Sequence, residues 1–265
     1  MAFLDVDNPI VTLTTDFGDR DNYVGIVKGI ISRVNSRVRL IDITNNIPPF
    51  NIPAAYYQLL TAFRSFPEGT IHLAVVDPGV GTERRAIAIE TKDYFFVGPD
   101  NGIFSFLKKS DIKNTVELNS RKYFSTNIPA TFHGRDLFGP AAGLLSQGVA
   151  IEELGNPVKK LTKIVQPACR RIKGGLSGKV IYIDRFGNLV SSIREKDIGG
   201  RKGIVKYADE RIGFLKKTFG EAAPGRLLGY INSFGYLEIG VNRGSAENHF
   251  TASYGDKIQI LFASP

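Results

Sequence analysis

The stretch Val75-Val76-Asp77-Pro78-Gly79-Val80-Gly81-Thr82-Glu83-Arg84-Arg85 holds the residues best suited to chemistry. The apolar, partly β-branched run from Ile71 to Val76 reads as a buried strand that stops at an acid. Pro78 cannot continue a ladder, and Gly79 and Gly81 admit backbone angles that other residues resist. A carboxylate is thereby held at the end of a rigid element, ahead of a loop with two arginines. In open α/β sheets ligands gather at that end of the strands. His133 stands between an apolar run and a helix start. Beside Asp77 and Arg84, it is a residue able to orient or deprotonate a water. Asp16, Asp100 and Asp184 also fall at predicted strand ends, and four acids so placed exceed what turns need. His72, inside a strand, and His249, near the C-terminal end, read as structural or surface residues.

Other familiar chemistries find no support. The chain has no G-x-S-x-G elbow, no P-loop, no G-x-G-x-x-G after the first strand, no C-x-x-C and no H-E-x-x-H. Asp16, Asp77, Asp100 and His133 are of metal-ligand type, but no pair has a recognisable ligand spacing, so no metal is expected.

The elements that must position these residues alternate. Residues 9–15 predict a buried strand, and Asp21 and Asn22 are placed to cap a helix from Tyr23 to Val34 with one apolar face. Val38 to Thr44 is a second strand, and Ile52-Pro53 opens a second helix. After the strand ending at Asp77 come Ala86–Glu90 and Tyr94–Val97, a short helix from Ile103 to Lys108, and a helix from Leu137 to Leu145. Strands alternating with helices argue for a layered α/β domain over residues 1–166. Beyond about Pro167 glycines punctuate short apolar runs: 179–183, 189–193, 204–207, 227–231, 237–241 and 257–262. That texture predicts an all-β, barrel-like domain over residues 167–265.

Composition narrows the class. At 265 residues and 43% hydrophobic, the chain suffices for one large domain or two ordinary ones. The single cysteine, Cys169, excludes an internal disulfide. The N-terminus lacks a basic stretch followed by an apolar core, and no apolar run approaches the roughly 18–20 residues that span a membrane. A soluble, cytoplasmic protein without a membrane partner is expected. The formal charge of +8 is uneven, with 18 Lys and Arg against 17 Asp and Glu in residues 1–165, and 16 against 9 thereafter. Along the sequence those later cations are spread thinly and without interleaved aromatics, which favours a solvated basic surface over nucleic-acid binding.

Five motifs then occur in order: T-T-D-F-G-D from Thr14, V-V-D-P-G-V-G-T-x-R from Val75, G-P-D-N-G from Gly98, T-F-H-G-R-D from Thr131 and D-x-F-G-N-L from Asp184. Together they resemble the S-adenosyl-L-methionine hydroxide adenosyltransferase family, which is related to the S-adenosylmethionine-dependent chlorinases and fluorinases. The resemblance runs from Thr14 to about Ala246. It implies an α/β domain, a β-barrel domain, and a homotrimer with active sites between neighbouring subunits. Asp77, Arg84 and His133 match that family's Asp-Arg-His triad, with Arg85 the second candidate for the arginine. Asp16 matches the acid that binds the ribose hydroxyls, and Asp184 and Asn188 match residues holding the methionine end. Ser233, Phe234, Asn242 and Arg243 resemble the segment lining the adenine and methionine pocket.

The implied reaction is displacement at ribose C5′ by water or hydroxide, giving adenosine and methionine. Its substrate is S-adenosylmethionine, with no further cofactor. The family's halogenases are implied to have a tyrosine where this chain has Asp77, and an extra loop that is absent between Arg85 and Phe95. A carboxylate there repels a halide and accepts a proton from water, so hydroxide is favoured. The alternatives are a halogenase, a non-catalytic S-adenosylmethionine or adenosine binder, and a basic nucleic-acid module.

Overall fold

After Pro9, alternating β-branched and apolar residues form β1 (Ile10–Thr15), buried from Val11 onward. Strands buried on both faces belong inside parallel sheets. In the computed structural model, which describes residues 7–262, β1 has parallel partners on both sides, β2 (Arg39–Thr44) and β3 (Ile71–Val75). Helix α1 (Tyr23–Val34) links β1 to β2, and α2 (Ile52–Ala62) crosses back from β2 to β3. Right-handed crossovers that run in opposite directions along the sheet, from β1 to β2 and from β2 back past β1 to β3, place their helices on opposite faces.

The sheet continues through β4 (Ala86–Thr91), β5 (Phe95–Pro99) and β6 (Ile112–Glu117) in the order β2-β1-β3-β5-β4-β6. Its run of parallel pairs ends at β5, and β4 runs against the rest, pairing antiparallel with both β5 and β6. On one face α1 packs against α3 (Gly139–Ser146). A Cβ added at Gly143 would stand 2.7 Å from Val34 Cβ, so the glycine lets the two helix backbones approach closely. Val11, Leu13, Val27, Ile31, Leu73, Phe138 and Ala142 fill the layer beneath. Fully burying each large side chain contributes about 1.5–3 kcal/mol. The other face gathers Phe63, Phe66, Tyr94 and Phe96 around His72.

The chain divides at Ile164/Val165, and the second unit is built from strands with tight glycine turns. These are β7 (Arg170–Ile172), β8 (Gly175–Ile183), β9 (Leu189–Arg194), β10 (Gly203–Tyr207), β11 (Glu210–Phe214), β12 (Leu227–Ile231), β13 (Tyr236–Val241) and β14 (Lys257–Phe262). Short helices α4 (Glu195–Ile198) and α5 (Ala246–Phe250) interrupt them. The antiparallel order is β11-β10-β14-β8-β9-β13-β12, with β7 on β8. Lys216 N–H donates to Gly229 O (2.8 Å), tying the chain after β11 to β12 and nearly closing the barrel. Leu176, Val180, Val205, Leu237, Ile239 and Ile258 fill its interior.

The expected α/β and barrel-like classes are therefore the observed ones. Three local expectations are corrected. Residues 103–108 form successive turns rather than a helix, because Asn101 Oδ1 captures Ile103 N–H (3.2 Å) and Gly102 sits at φ +97°. Asn22 precedes α1 without a side-chain capping bond, whereas Asn51 caps α2 by accepting from Ala54 N–H (2.9 Å). The helix expected from Leu137 begins instead as one wide turn over Gly134–Phe138. Among the described residues no helix is long and apolar enough to cross a membrane.

His72 generates a prediction. It is fully buried, its Nδ1 meets Thr12 Oγ1 at 2.8 Å, and its Nε2 has no partner. Burial pushes its pKa down to about 3 from an ordinary 6.5. A depressed histidine contributes stability that is complete above 6.5 and is lost as pH falls toward 3. The stability of the wild type relative to His72→Leu should fall by roughly 1.4 kcal/mol per pH unit across that window in urea titrations. A pH-independent difference would show that His72 is not buried neutral.

Candidate active site

β1 and β3 are adjacent and parallel, with Thr15 opposite Val75, so Asp16 and Asp77 leave the sheet side by side. The chain leaves β1 toward β2 and leaves β3 toward β4 and β5 on the other side, which makes the β1–β3 boundary the switch point where open α/β sheets bind ligands. Asn101 Nδ2 donates to Val76 O (2.8 Å) and anchors the end of β3 from the neighbouring turn. The acid after β3 therefore projects from a fixed backbone.

Arg84 returns to that acid through a compact loop. Thr82 N–H and Oγ1 both donate to Gly79 O (3.1 and 2.7 Å). Gly81 has φ +77°, and a Cβ there would lie 2.5 Å from Ala130 O, so only glycine lets the loop dock. Arg84 Nε then donates to Asp77 Oδ1 (2.9 Å) and Nη2 to Asp77 Oδ2. The two side chains are only 10% and 7% exposed, which makes this a two-point buried ion pair.

The same Nη2 lies 2.6 Å from His133 Nδ1. A guanidinium has no acceptor, so His133 Nδ1 accepts and the neutral ring carries its proton on Nε2. Burial lowers the His133 pKa first and the Arg84 charge second, opposed by Asp77 and Asp136. The wide turn that follows, closed by Gly139 N–H on Gly134 O, sets the imidazole at the head of α3. Phe138 supports Arg84, whose Cζ is 5.3 Å from the ring centroid. Phe17, Tyr23 and Phe132 stack edge-on and tilted, with centroids 5.2–6.0 Å apart, and Gly134 fits beneath Phe132 and Phe17.

The structure separates the two arginines. Arg85 is held by Asp100 (Nε to Oδ2, 3.0 Å) and by Lys160 O (2.8 Å), while Thr162 N–H fills Asp100 Oδ1 (2.8 Å). Asp100 is thus a structural acid, and Arg84 alone meets both Asp77 and His133. Asp16 accepts from Phe50 N–H (2.8 Å). Burial raises the Asp16 pKa, that bond lowers it, and the nearby Asp77 charge raises it further.

In the second unit, Asp184 Oδ1 accepts from Phe186 and Asn188 N–H (2.8 and 2.9 Å), and Oδ2 accepts from Asn188 Nδ2 (2.8 Å). The pair is a self-contained turn closed by Gly187 at φ +77°. Ser233 and Phe234 are exposed on the β12–β13 turn, where Asn232 Oδ1 accepts from Phe234 and Tyr236 N–H. Asn242 and Arg243 sit at the far end of β13. Asn242 Nδ2 donates to Ala222 O (2.7 Å), and Arg243 is exposed at φ +56°. Among the described residues no three His, Cys, Asp or Glu side chains converge as a metal site would require.

Models of the two SAM hydroxide adenosyltransferase domains match residues 11–155 (N-terminal) and 178–259 (C-terminal). The chain belongs to the SAM hydroxide adenosyltransferase family. Proteins named (R)-S-adenosyl-L-methionine hydrolase from Methanocaldococcus jannaschii and Salinispora tropica are 36% and 33% identical to it. They are covered over 96% and 97% of their own length, and over 96% and 95% of this chain. A protein named fluorinase from Actinopolyspora mzabensis is 24% identical over 95% of this chain and 97% of its own. A crystal structure of a conserved protein from Thermotoga maritima superposes with a TM-score of 0.85 at 34% identity, covering 95% of this chain and 99% of that one.

Within this family member, sequence reasoning missed two residues. Phe50 is 69% exposed at φ +64° beside Asp16, and only its P-P-F context marked the loop. Glu238 is buried, accepts from Tyr230 Oη and Asn232 Nδ2 (2.6 Å for the latter), and has a raised pKa from burial, with Asp184 adding to the rise. A carboxylate inside an apolar strand run was its signal.

The arginine geometry is testable. Arg84→Gln should abolish the function of this site and also lower the melting temperature, since it leaves Asp77 buried without its partner, whereas Arg85→Gln should lower the melting temperature and spare the function. Gly81→Ala should impair both, since it strains φ and pushes the loop off Ala130. Circular dichroism melts alongside turnover decide it, and interchangeable arginines would contradict the assignment.

Proposed function

We propose that the protein hydrolyses S-adenosyl-L-methionine to adenosine and L-methionine at the Asp77–Arg84–His133 constellation. The observation that carries this reading is a buried guanidinium shared between a carboxylate and a neutral imidazole at the sheet's switch point. The names of the relatives at 33–36% identity support the substrate.

The chemistry asked of the residues is modest. Methionine leaves as a neutral thioether, so no acid is required. Water oxygen bonds to ribose C5′, the C5′–S bond breaks with its electron pair passing to sulfur, and the water proton passes to Asp77. Asp77 keeps free lone pairs on oxygens that Arg84 also engages. Arg84 favours the charged form of a nearby water. His133, with Nδ1 occupied, directs Nε2–H at that oxygen and holds its approach line. Asp16 accepts from the ribose hydroxyls. Asp77 is anionic where a halide would have to sit, which disfavours halogenation.

Asp77→Asn should lower kcat about 10²- to 10⁴-fold with KM little changed. Reaction in ¹⁸O-water should place one label in adenosine and none in methionine, with chloride or fluoride indifferent. A halogenated nucleoside, or label-free adenosine, would overturn the reading. Protonating His133 would place a cation against Arg84 and remove the acceptor. Activity should hold from neutral pH to below 6.5 and fall only at more acid values. A fall centred above 6.5 would contradict the depressed histidine.

The same reading takes the protein as a homotrimer in which Asp184, Asn188, Ser233, Phe234, Asn242 and Arg243 of one copy hold substrate at a neighbour's Asp16 and Asp77. Co-expressing Asp77→Asn with Asp184→Asn should then restore part of the turnover lost by each alone. A mixed population as inactive as its parents would rule out shared sites.

A further inference from the structure

The pairing register of the second unit gathers cations that the sequence scatters. Arg211 on β11 lies opposite Lys206 on β10, Lys206 opposite Gln259 on β14, Gln259 opposite Ser177 on β8, and Ser177 opposite Arg170 on β7. These five side chains form one row across five strands, roughly 19 Å long at about 4.8 Å per strand spacing. All lie on the outer face, since the alternate residues Leu176, Val205, Tyr207, Ile258 and Ile260 fill the barrel. One step along, Lys179 stands directly opposite Lys257. Like charges in that position destabilise a sheet unless something neutralises them.

Two further observations point to a ligand. A groove of about 530 Å³ at the β7 end of the row is lined by Arg170, Ser177, Lys179 and Lys257. It is also lined by Gln166, whose buried Nε2 has no hydrogen-bond partner. Its polar side chains are thus mostly donors, and none is acidic. At the other end, Phe214 pairs with Ile204 on the same face and is 52% exposed. None of Arg170, Lys179, Lys206, Arg211 and Lys257 makes a side-chain hydrogen bond or ion pair with a described residue, and the acid of these strands, Glu210, lies opposite Tyr207 and is engaged by His249 (3.3 Å).

We propose that this face binds the phosphodiester backbone of a single-stranded nucleic acid, separately from the hydrolase site. A compact phosphate would occupy the groove alone. The row continuing to Lys206 and Arg211 suits a chain of phosphates, and Phe214 offers an unpaired base a stacking surface. An anionic membrane would ask for a cluster of apolar side chains to insert, whereas Phe214 and Val165 stand singly at opposite ends of the row.

The test is fluorescence anisotropy of a labelled 20-nucleotide single strand with the full-length protein from 50 to 300 mM salt. The affinity should fall with a log–log slope of about −2 to −3.5, for three to five phosphates neutralised. Lys206→Gln with Arg211→Gln should make the slope shallower by about 1.4. Phe214→Ala should weaken binding about tenfold without altering the slope. All variants should retain wild-type S-adenosylmethionine turnover and melting temperature, so a failed fold is recognised and replaced by Lys179→Gln with Lys257→Gln. The proposal is overturned by no binding at 50 mM salt, or by binding that ignores these substitutions. It is equally overturned by binding confined to a nucleoside triphosphate or to phosphatidylserine vesicles.

Discussion

Arg84 is the constraint on which the candidate site depends. A guanidinium only donates, so each partner it touches is forced into the accepting state: Asp77 as carboxylate, His133 as the Nε2–H tautomer. A buried charge is tolerated only when paired and hydrogen-bonded. The loop from Asp77 to Arg84 exists to satisfy that condition, with Thr82 closing it and Gly81 admitting it against Ala130. Removing any one member would leave the others charged or unpaired in a poorly solvated place.

The sheet explains why this clamp is rigid. β3 is buried from end to end, and the turn at Asn101 ties down the Val76 carbonyl that directly follows it. His133 comes from a different part of the chain and is fixed by packing, since α3 lies against α1 through glycines and begins with a widened turn. On the opposite face the aromatic shell around His72 seals α2 against the sheet at the cost of one unpaired ring nitrogen. Stability on one face and chemistry at one strand end are thus supplied by the same four parallel strands.

Much of this was legible in the residues. Half-buried strands such as Leu227–Ile231 and Lys257–Phe262 have bounds that match their apolar runs, because one-sided burial and β-propensity agree there. The edge strand β6, Ile-Lys-Asn-Thr-Val-Glu, was not legible, because its residues are half polar and it is defined by its neighbour β4. β11 was hidden by a bulge and a glycine, and α4 and α5 by their brevity. The Ile103–Lys108 run had helical apolar spacing, but Asn101 and Gly102 impose turns that spacing does not encode. In the site, residue types and strand ends pointed to Asp16, Asp77 and His133. The choice of Arg84 over Arg85 required the competing acid Asp100 in three dimensions, and Glu238 required its cross-strand partners. Cross-strand register likewise decides where the basic residues of the second unit lie.

The most direct test of the central claim is a double-mutant cycle on kcat for S-adenosylmethionine hydrolysis, using Asp77→Asn, His133→Ala and the double variant. If Arg84 couples the two residues into one unit, the double variant loses about as much activity as the worse single variant. Losses that multiply would mean that Asp77 and His133 act independently, and the shared arginine would then be a structural brace.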